Sequence, residues 1–460
     1  MNQVLATSNF TAPSVRPRFR PATLVSDRRW DLALVCVAGY ILTAVGRVHQ
    51  LFPVIAIVRP AVLTALVAMA LYLFDSAEPR RSKYLVNATT TLILVLLAWL
   101  ILSVAGALVI SRSFDVVFNN FVKTVLMCFV VAGVVRGVRD VERLLLAYLA
   151  AATLYAAVVI LRFNLGSGDD WRLGDLYYYD ANDLATFAVT AMPFALYFLH
   201  SSRRLSGRVS AMLALALLMM AFVRTGSRGG FIALAAVVLF IAFRYTAIPL
   251  RQRISGTALV LVVVLLSASD RYWTQMGTIL SDADYNRTAE SGRMQIWARG
   301  IGYMFRHPVL GVGPGNFQAA EGILSPFAER GQLGVGVRWN AAHNSYVQIG
   351  AEAGVPGLLL FIGIIASAFA GLRRTKRRRS ATPRTHPGSE LAQAITASLT
   401  GFVVGAFFLS LAYSEILFTL LALAIALRKV TLGPLAHRVE QKSCTQLSLH
   451  RQAMPTGTTV

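Results

Sequence analysis

Long apolar runs alternate with short polar stretches along nearly the whole chain. About 20 consecutive apolar residues cross the hydrocarbon core of a bilayer as a helix. Twelve windows meet or approach that length: 32–46, 51–74, 87–110, 115–135, 143–161, 182–199, 209–223, 229–243, 255–269, 345–371, 391–411 and 413–427. The pattern predicts an all-α integral membrane protein of about 12 transmembrane helices, the first two of which also suit tilted or re-entrant segments. Only one polar interruption is long, residues 270–344. The expected organisation is a tail over 1–30, a transmembrane domain over 31–428 that includes the 270–344 loop, and a second tail over 429–460. The tails are polar and rich in Pro, Ser, Thr and Gln, a composition that favours disorder.

Inside the long loop, Met294, Trp297, Ile301, Met304 and Phe305 recur at helical spacing, with Arg299 and Arg306 off that stripe. This predicts an amphipathic helix in the plane of the membrane interface, with Trp297 and Tyr303 near headgroup level. Pro308 stops it and a Gly-rich turn follows. A shorter acidic and aromatic loop spans 162–181. No internal repeat is visible, which weakens a reading as a carrier built from duplicated halves.

Composition agrees: 56% of the 460 residues are apolar, and the mean hydropathy is +0.58. The formal charge of +22 would suggest nucleic acid in a soluble chain, but its distribution argues otherwise. On the twelve-helix reading, 29 of the 44 Lys and Arg lie on the side of the N-terminus, including RRTKRRR (373–379). The other side holds 13, seven of them in the long loop, and Arg59 and Lys123 fall inside windows. The positive-inside rule then makes both termini cytoplasmic and the 270–344 loop external. The RRTKRRR run reads as a topology signal that also touches anionic lipid headgroups, and no nucleic-acid partner is expected. The first thirty residues lack the apolar core of a cleavable signal. Cys36, Cys128 and Cys444 show neither disulfide nor metal-ligand spacing.

Candidate chemistry gathers on the external face. RTGSRGG (224–230) lies between the seventh and eighth windows, with Arg224 and Arg228 four apart. If the turn is partly helical, both point toward one site. Gly226, Gly229 and Gly230 permit close backbone approach, the following helix opens an anion site, and guanidinium forks match phosphate oxygens. The alternative is two arginines snorkelling to the interface. Arg293, four residues before Trp297, would complete a diphosphate pocket, and Arg338 is a fourth candidate. His343 titrates near neutrality and suits a general base, or it is a hydrogen-bonded histidine at a helix start. Asn344 and Ser345 after it are good capping residues. Glu352, deeper in the same helix, is a costly intramembrane carboxylate unless partnered, and would pair with an arginine or orient the site. In DANDLATF (180–187), Asp180 or Asn182 caps a helix and Asp183 complements its dipole, or these acids orient an arginine or an acceptor hydroxyl. The pair Asp282 and Asp284 reads as a solvated loop rather than a metal element. No P-loop, dinucleotide fingerprint or Cys/His cluster is present, so no cofactor and no metal are expected. A lipid-linked diphosphate donor would explain external arginines without an ATP site.

At these residues the chain resembles the O-antigen ligase and polymerase superfamily. The resemblance lies in the TGSRGG turn, the Arg293–Trp297 pair followed by HPVLGVGPGNF (307–317), and HNSYVQIGAEAGVPG (343–357). DANDLA (180–185) looks like the DPNDLA of a subset that includes exopolysaccharide polymerases, with Ala181 in place of Pro. The resemblance is strongest over 180–370 and by layout extends over 30–428. It implies a GT-C-like fold and a metal-independent, inverting glycosyltransferase of a bacterial inner membrane. Such an enzyme takes a glycan from undecaprenyl diphosphate on the periplasmic face. It passes the glycan to lipid A–core, to a growing polysaccharide, or to a protein. Carried over by motif, Arg228 and Arg293 would bind the diphosphate and His343 would be the base; Arg224 is added to the diphosphate site by the residue reading alone. The competing expectation is a polytopic glycan or solute transporter or flippase, which would need charged or broken helices near the bilayer midplane.

Overall fold

The structure is a computed structural model that describes residues 30–75, 80, 82–163, 173, 179–267, 270–280, 286, 289–328, 339–377 and 387–432. Residues 1–29 and 433–460 of the tails, Arg338, Asp282, Asp284 and Cys444 lie outside the described residues. Among the described residues the fold is all-helical.

Each of the twelve apolar windows falls on a helix. Among the described residues, seven helices are long and apolar enough to cross a membrane. They are α3 (Ala88–Ala105), α4 (Ile110–Val134), α5 (Val138–Arg162), α6 (Ala181–Ser201), α7 (Leu205–Thr225), α13 (Ser345–Arg377) and α14, assigned to Pro387–Gly405 and running on to Phe408. Two shorter apolar helices precede them, α1 from Leu32 to Val45 and α2 from Pro60 to Leu73. The remaining windows hold α8 (Arg228–Arg244), α9 (Leu250–Ser267) and α15 (Glu415–Leu432). Three short helices occupy the long loop: α10 (Asp270–Gly277), α11 (Arg293–Arg306) and α12 (Phe317–Ile323).

The second window is not one rod. Short turns cover Val48–Leu51 and Pro53–Ala56, and α2 begins only at Pro60, after Arg59 in left-handed backbone (φ 47°). Arg59 thus stands at a break, not within a helix. Lys123 stays exposed on α4 just beyond a π-helical stretch, Asp115–Phe121.

The centre of the bundle is α15, whose residues from Ile416 through Leu427 are all buried. A helix apolar on every side has nowhere else to go. It packs on α4, α5, α13 and α14. At one end of the bundle, charges close the floor. Asp31 Oδ2 lies 2.5 Å from both Arg80 Nη2 and Arg136 Nη1. Asp140 takes Arg136 Nε at 2.7 Å and Arg143 Nη1 at 2.9 Å, and Arg80 also pairs with Asp75. Arg80 Nε donates to Val134 O, and Lys429 Nζ to Gly133 O (both 2.9 Å). The first described residues and the end of α15 therefore meet at the same end.

The tenth window contains the decisive irregularity. Gly354 sits at φ 70°, ψ −173° inside α13, with Pro356 just after it. Val355 N–H donates to Pro308 O (2.9 Å) instead of back along its own helix, and proline has no N–H to offer Glu352 O. The Gly-rich turn supplies the missing donors: Val312 N–H to Ala351 O (2.8 Å) and Gly313 N–H to Glu352 O (3.0 Å). Trp99 Nε1 on α3 donates to Ala353 O (2.9 Å). A Cβ on Gly311 (φ 68°) would stand 2.4 Å from Glu352 C, and one on Gly354 2.3 Å from Val309 O. The backbone conformation and the clearance both demand glycine there.

Gly354→Ala should therefore lower stability by about 3 kcal/mol or more, seen as a lower melting temperature of purified protein in detergent. Gly302→Ala, in α11 with nothing within 4 Å of its Cβ position, should be neutral or raise stability by up to roughly 1 kcal/mol. Equal melting temperatures for the two variants would contradict this account of the break.

Candidate active site

Arg228 opens α8, and its position is set by two interlocked caps. Ser227 Oγ accepts from Gly230 N–H (3.1 Å) and donates to Asn182 Oδ1 (2.8 Å) in the first turn of α6. That turn is capped by Asp180, whose Oδ1 accepts from Asn182 N–H (2.7 Å) and Asp183 N–H (2.8 Å). Asp183 Oδ2 accepts from Asp180 N–H in return (3.3 Å), completing a capping box. DANDLA and TGSRGG are thus clasped to one another. The two glycines after Arg228 allow close packing: a Cβ on Gly229 would lie 2.6 Å from Phe408 Cβ, and one on Gly230 2.6 Å from Ala185 Cβ.

Arg293 opens α11. Arg228 and Arg293 line one cleft of about 200 Å³, together with Thr278, Trp297, Phe407 and Phe408. Arg228 Nη1 donates to Thr278 Oγ1 (2.7 Å). Trp297 stacks edge-on against Phe407 at 5.3 Å, and its Nε1 donates to Ala342 O (3.0 Å). The next residue is His343, in left-handed backbone at φ 47°. Non-glycine residues rarely adopt this conformation, and strain of this kind clusters at functional sites. His343 N–H donates to Ser410 Oγ (2.9 Å) in the turn between α14 and α15. Asn344 caps α13, its Oδ1 accepting from Tyr346 N–H (2.9 Å) and Val347 N–H (3.1 Å), and Ser345 Oγ donates to Leu409 O (2.7 Å).

The imidazole of His343 is half-buried, within the fields of Arg293 and Asp180. Burial holds its pKa below the ordinary value, and the Arg293 cation pushes the same way. The Asp180 carboxylate opposes them. Arg228, Arg293, His343 and Asp180 therefore share one neighbourhood, at the end of the bundle opposite the Asp31–Asp140 floor.

Other expected residues lie elsewhere. Arg224 does not join Arg228. Gly226 ends α7 at φ 54°, which breaks the helical phase, and Arg224 Nη1 donates to Ile160 O on α5 (3.0 Å). Glu352, 2% exposed, meets no arginine among the described residues. It accepts from Tyr413 Oη (2.8 Å) and Phe317 N–H (3.3 Å), so it holds the start of α12 and the loop before α15. The amphipathic helix exists as α11, with most of its apolar stripe turned outward, the side an interfacial helix presents to lipid. Met294, Ile301 and Phe305 are exposed, whereas Ile296, Gly300 and Tyr303 are buried. The inner side of α11 is anchored by a carboxylate. Arg299 grips Glu321 with Nη2 at 2.6 Å and Nε at 2.9 Å, and Tyr303 Oη donates to Glu321 Oε1 (2.7 Å). That pair keeps the Arg299 guanidinium protonated beyond its already high pKa.

Five features escaped the sequence. Thr278 and Asn286 in the cleft carry no local signal, and neither do the Phe407–Phe408 wall and Ser410. Arg47 had one, as a basic residue on the charge-poor side. It lies 3.5 Å from Glu415 and 5.3 Å from the Tyr179 ring centre, beside Asp183.

Glu321→Ala should strip the charge partner from Arg299, itself 12% exposed, and cost about 3 kcal/mol. Hydrogen exchange along 293–306 should quicken in step with the lost melting temperature. Unchanged exchange in α11 would show that Glu321 does not secure the helix bearing Arg293.

Residues 213–362 match the family described as O-antigen ligase. No curated protein matches the chain. The matched stretch contains Arg224, Arg228, Arg293, His343 and the whole glycine-turn and broken-helix pair, and it supports the superfamily assignment that the motifs suggested. Over residues 213–362 the chain is therefore similar to the O-antigen ligase family.

Proposed function

We propose that this chain is a membrane glycosyltransferase that moves a glycan from undecaprenyl diphosphate to lipid A–core or a growing polysaccharide. The O-antigen ligase match supports glycan transfer at a membrane. The observation that carries the finer reading is the cleft: Arg228 and Arg293 line it, and the nearby His343 feels Arg293. A diphosphate leaving group needs cationic donors placed where its charge grows as the sugar C1–O bond breaks. The attacking sugar hydroxyl needs a base within reach. Arg228 and Arg293 take the first role, with Thr278 orienting Arg228, and His343 takes the second. In-line attack through this arrangement inverts the anomeric carbon, and no step calls for a metal ion.

The chain crosses a bacterial inner membrane twelve times, with both termini cytoplasmic and the cleft periplasmic. Two observations support this topology. All twelve windows fall on helices, and Asp31 and Lys429 lie at one end of the bundle, opposite the cleft. The positive-inside distribution sets the orientation.

The test uses purified protein in nanodiscs with a lipid-diphosphate-linked glycan and a defined acceptor. Arg228→Ala and Arg293→Ala should each slow transfer by about 10²–10³-fold. His343→Ala should slow it by about 10²–10⁴-fold, with melting temperatures retained and chelators without effect on the parent rate. Near-parental transfer by the Arg228 or His343 variant would refute the assignment.

The rate should rise with pH as His343 loses its proton. Its midpoint should fall below the ordinary imidazole value of about 6.5, because burial and Arg293 outweigh Asp180. Asp180→Asn keeps the helix cap but removes a charge that favours the protonated ring. The acidic limb should therefore move to still lower pH, and a shift to higher pH would contradict the assignment.

A further inference from the structure

A second charged cavity lies at the opposite end of the bundle, where α8 and α13 end and α14 begins. It encloses about 470 Å³, and four cationic side chains line it: Arg244, Arg373, Lys376 and Arg377. Among the described residues, no carboxylate lines it and none of the four forms a salt bridge with an acid. The nearest acid in sequence, Glu390, acts electrostatically on Tyr197 and Tyr245 and is not among the residues that line the cavity. The cavity's own polar floor is already satisfied. Gln393 Oε1 accepts from Thr246 Oγ1 (3.1 Å) and Ala247 N–H (3.2 Å), and its Nε2 donates to Ser389 O (3.2 Å). Lys376 Nζ donates to Arg244 O (2.8 Å), which fixes the ammonium at the rim with further N–H donors to spare. The remaining walls are apolar: Phe240, Phe369 and Leu372.

Four like charges around one cavity repel one another unless an anion joins them. Apolar side chains beside them, at the end of membrane-crossing helices, suit a ligand whose charge continues into hydrocarbon. Basic pockets between transmembrane helices hold anionic lipid heads in this way. We propose that this cavity is a binding site for one anionic phospholipid. Its phosphate sits among Arg244, Lys376, Arg373 and Arg377, and its acyl chains run along Phe240, Phe369 and Leu372. The RRTKRRR run thereby contributes specific ligands, and not only net charge, at the mouth of α13. The site lies at the other end of the bundle from the glycan-transfer cleft and does not depend on that reading.

Native mass spectrometry of the full chain tests it. The protein is titrated with phosphatidylglycerol, with phosphatidylcholine of the same acyl chains, and with inorganic phosphate. The parent should retain phosphatidylglycerol in preference to phosphatidylcholine. Arg244→Gln/Lys376→Gln should weaken that retention roughly 30-fold, the effect of removing two surface cations. Arg244→Lys/Lys376→Arg should restore it, and Arg204→Gln, an exposed arginine outside the cavity, should leave it unchanged. If the double Gln variant folds poorly, Arg373→Gln and Arg377→Gln, both exposed, should each weaken retention. The proposal fails if the Gln variants bind phosphatidylglycerol as the parent does, or if phosphatidylcholine is held equally well. It also fails if inorganic phosphate displaces the lipid at equal concentration, which would mark a soluble-anion site.

Discussion

The architecture turns on a helix that breaks where no water can repair it. In a membrane-crossing segment every backbone carbonyl needs an internal partner, and α13 gives up two of its own at Gly354 and Pro356. The carbonyls of Ala351 and Glu352 are taken by the amides of Val312 and Gly313, and Val355 repays Pro308. Each such buried group would cost several kcal/mol if abandoned. The glycine turn and the broken helix are consequently halves of one structure. Because the turn follows directly on α11, this exchange also fixes where α11 ends. Because the broken helix begins just after His343, it fixes the histidine relative to Arg293.

A second tier of interactions aims the side chains. Buried Glu352 draws Tyr413 and the start of α12 to the break. Glu321 then ties α12 to Arg299 on the inner face of α11. On the other wall, the Asp180 capping box, Asn182 and Ser227 pass position from α6 to α8, and so to Arg228. The acids near the cleft act largely as scaffold: Glu321 holds a helix, Glu352 a helix start, Asp183 a cap. Only Asp180 also reaches the histidine with its field.

The rods of this fold were plain in the sequence and their interruptions were not. The apolar windows fall on helical segments, seven of them long and apolar enough to cross a membrane among the described residues, because length and hydropathy dominate in a bilayer. Arg59 and Gly354 interrupt those rods through backbone conformation, which leaves hydropathy untouched. Arg228, Arg293 and His343 were legible as types suited to diphosphate chemistry on one face, and the chain does gather them at one end. Arg224 was misjudged because spacing of four implies one direction only if the helix continues, and Gly226 at positive φ ends it. The stripe on α11 was legible as one face of an amphipathic helix, but periodicity did not say what holds the opposite face. Glu321, buried beneath the polar side, holds it. Thr278, Asn286 and the Phe407–Phe408 wall come from distant segments, so no local pattern pointed to them.

The arginines at this end take different places, and two of them line the cleft. Arg299 is committed to a buried carboxylate, and releasing it would leave Glu321 charged and dry. Arg224 is spent on Ile160 O, Arg112 on Gln318 and Arg47 on Glu415. Arg228 and Arg293 face the cleft, and the field of Arg293 reaches His343, where together with burial it favours the neutral ring. That field serves both halves of the proposed reaction. In the empty cleft it keeps the imidazole unprotonated and ready. A diphosphate held between Arg228 and Arg293 would cancel much of it and raise the basicity of His343 at the moment a proton must be taken. The same cations that grip the leaving group would then couple donor binding to activation of the base, with no moving part required.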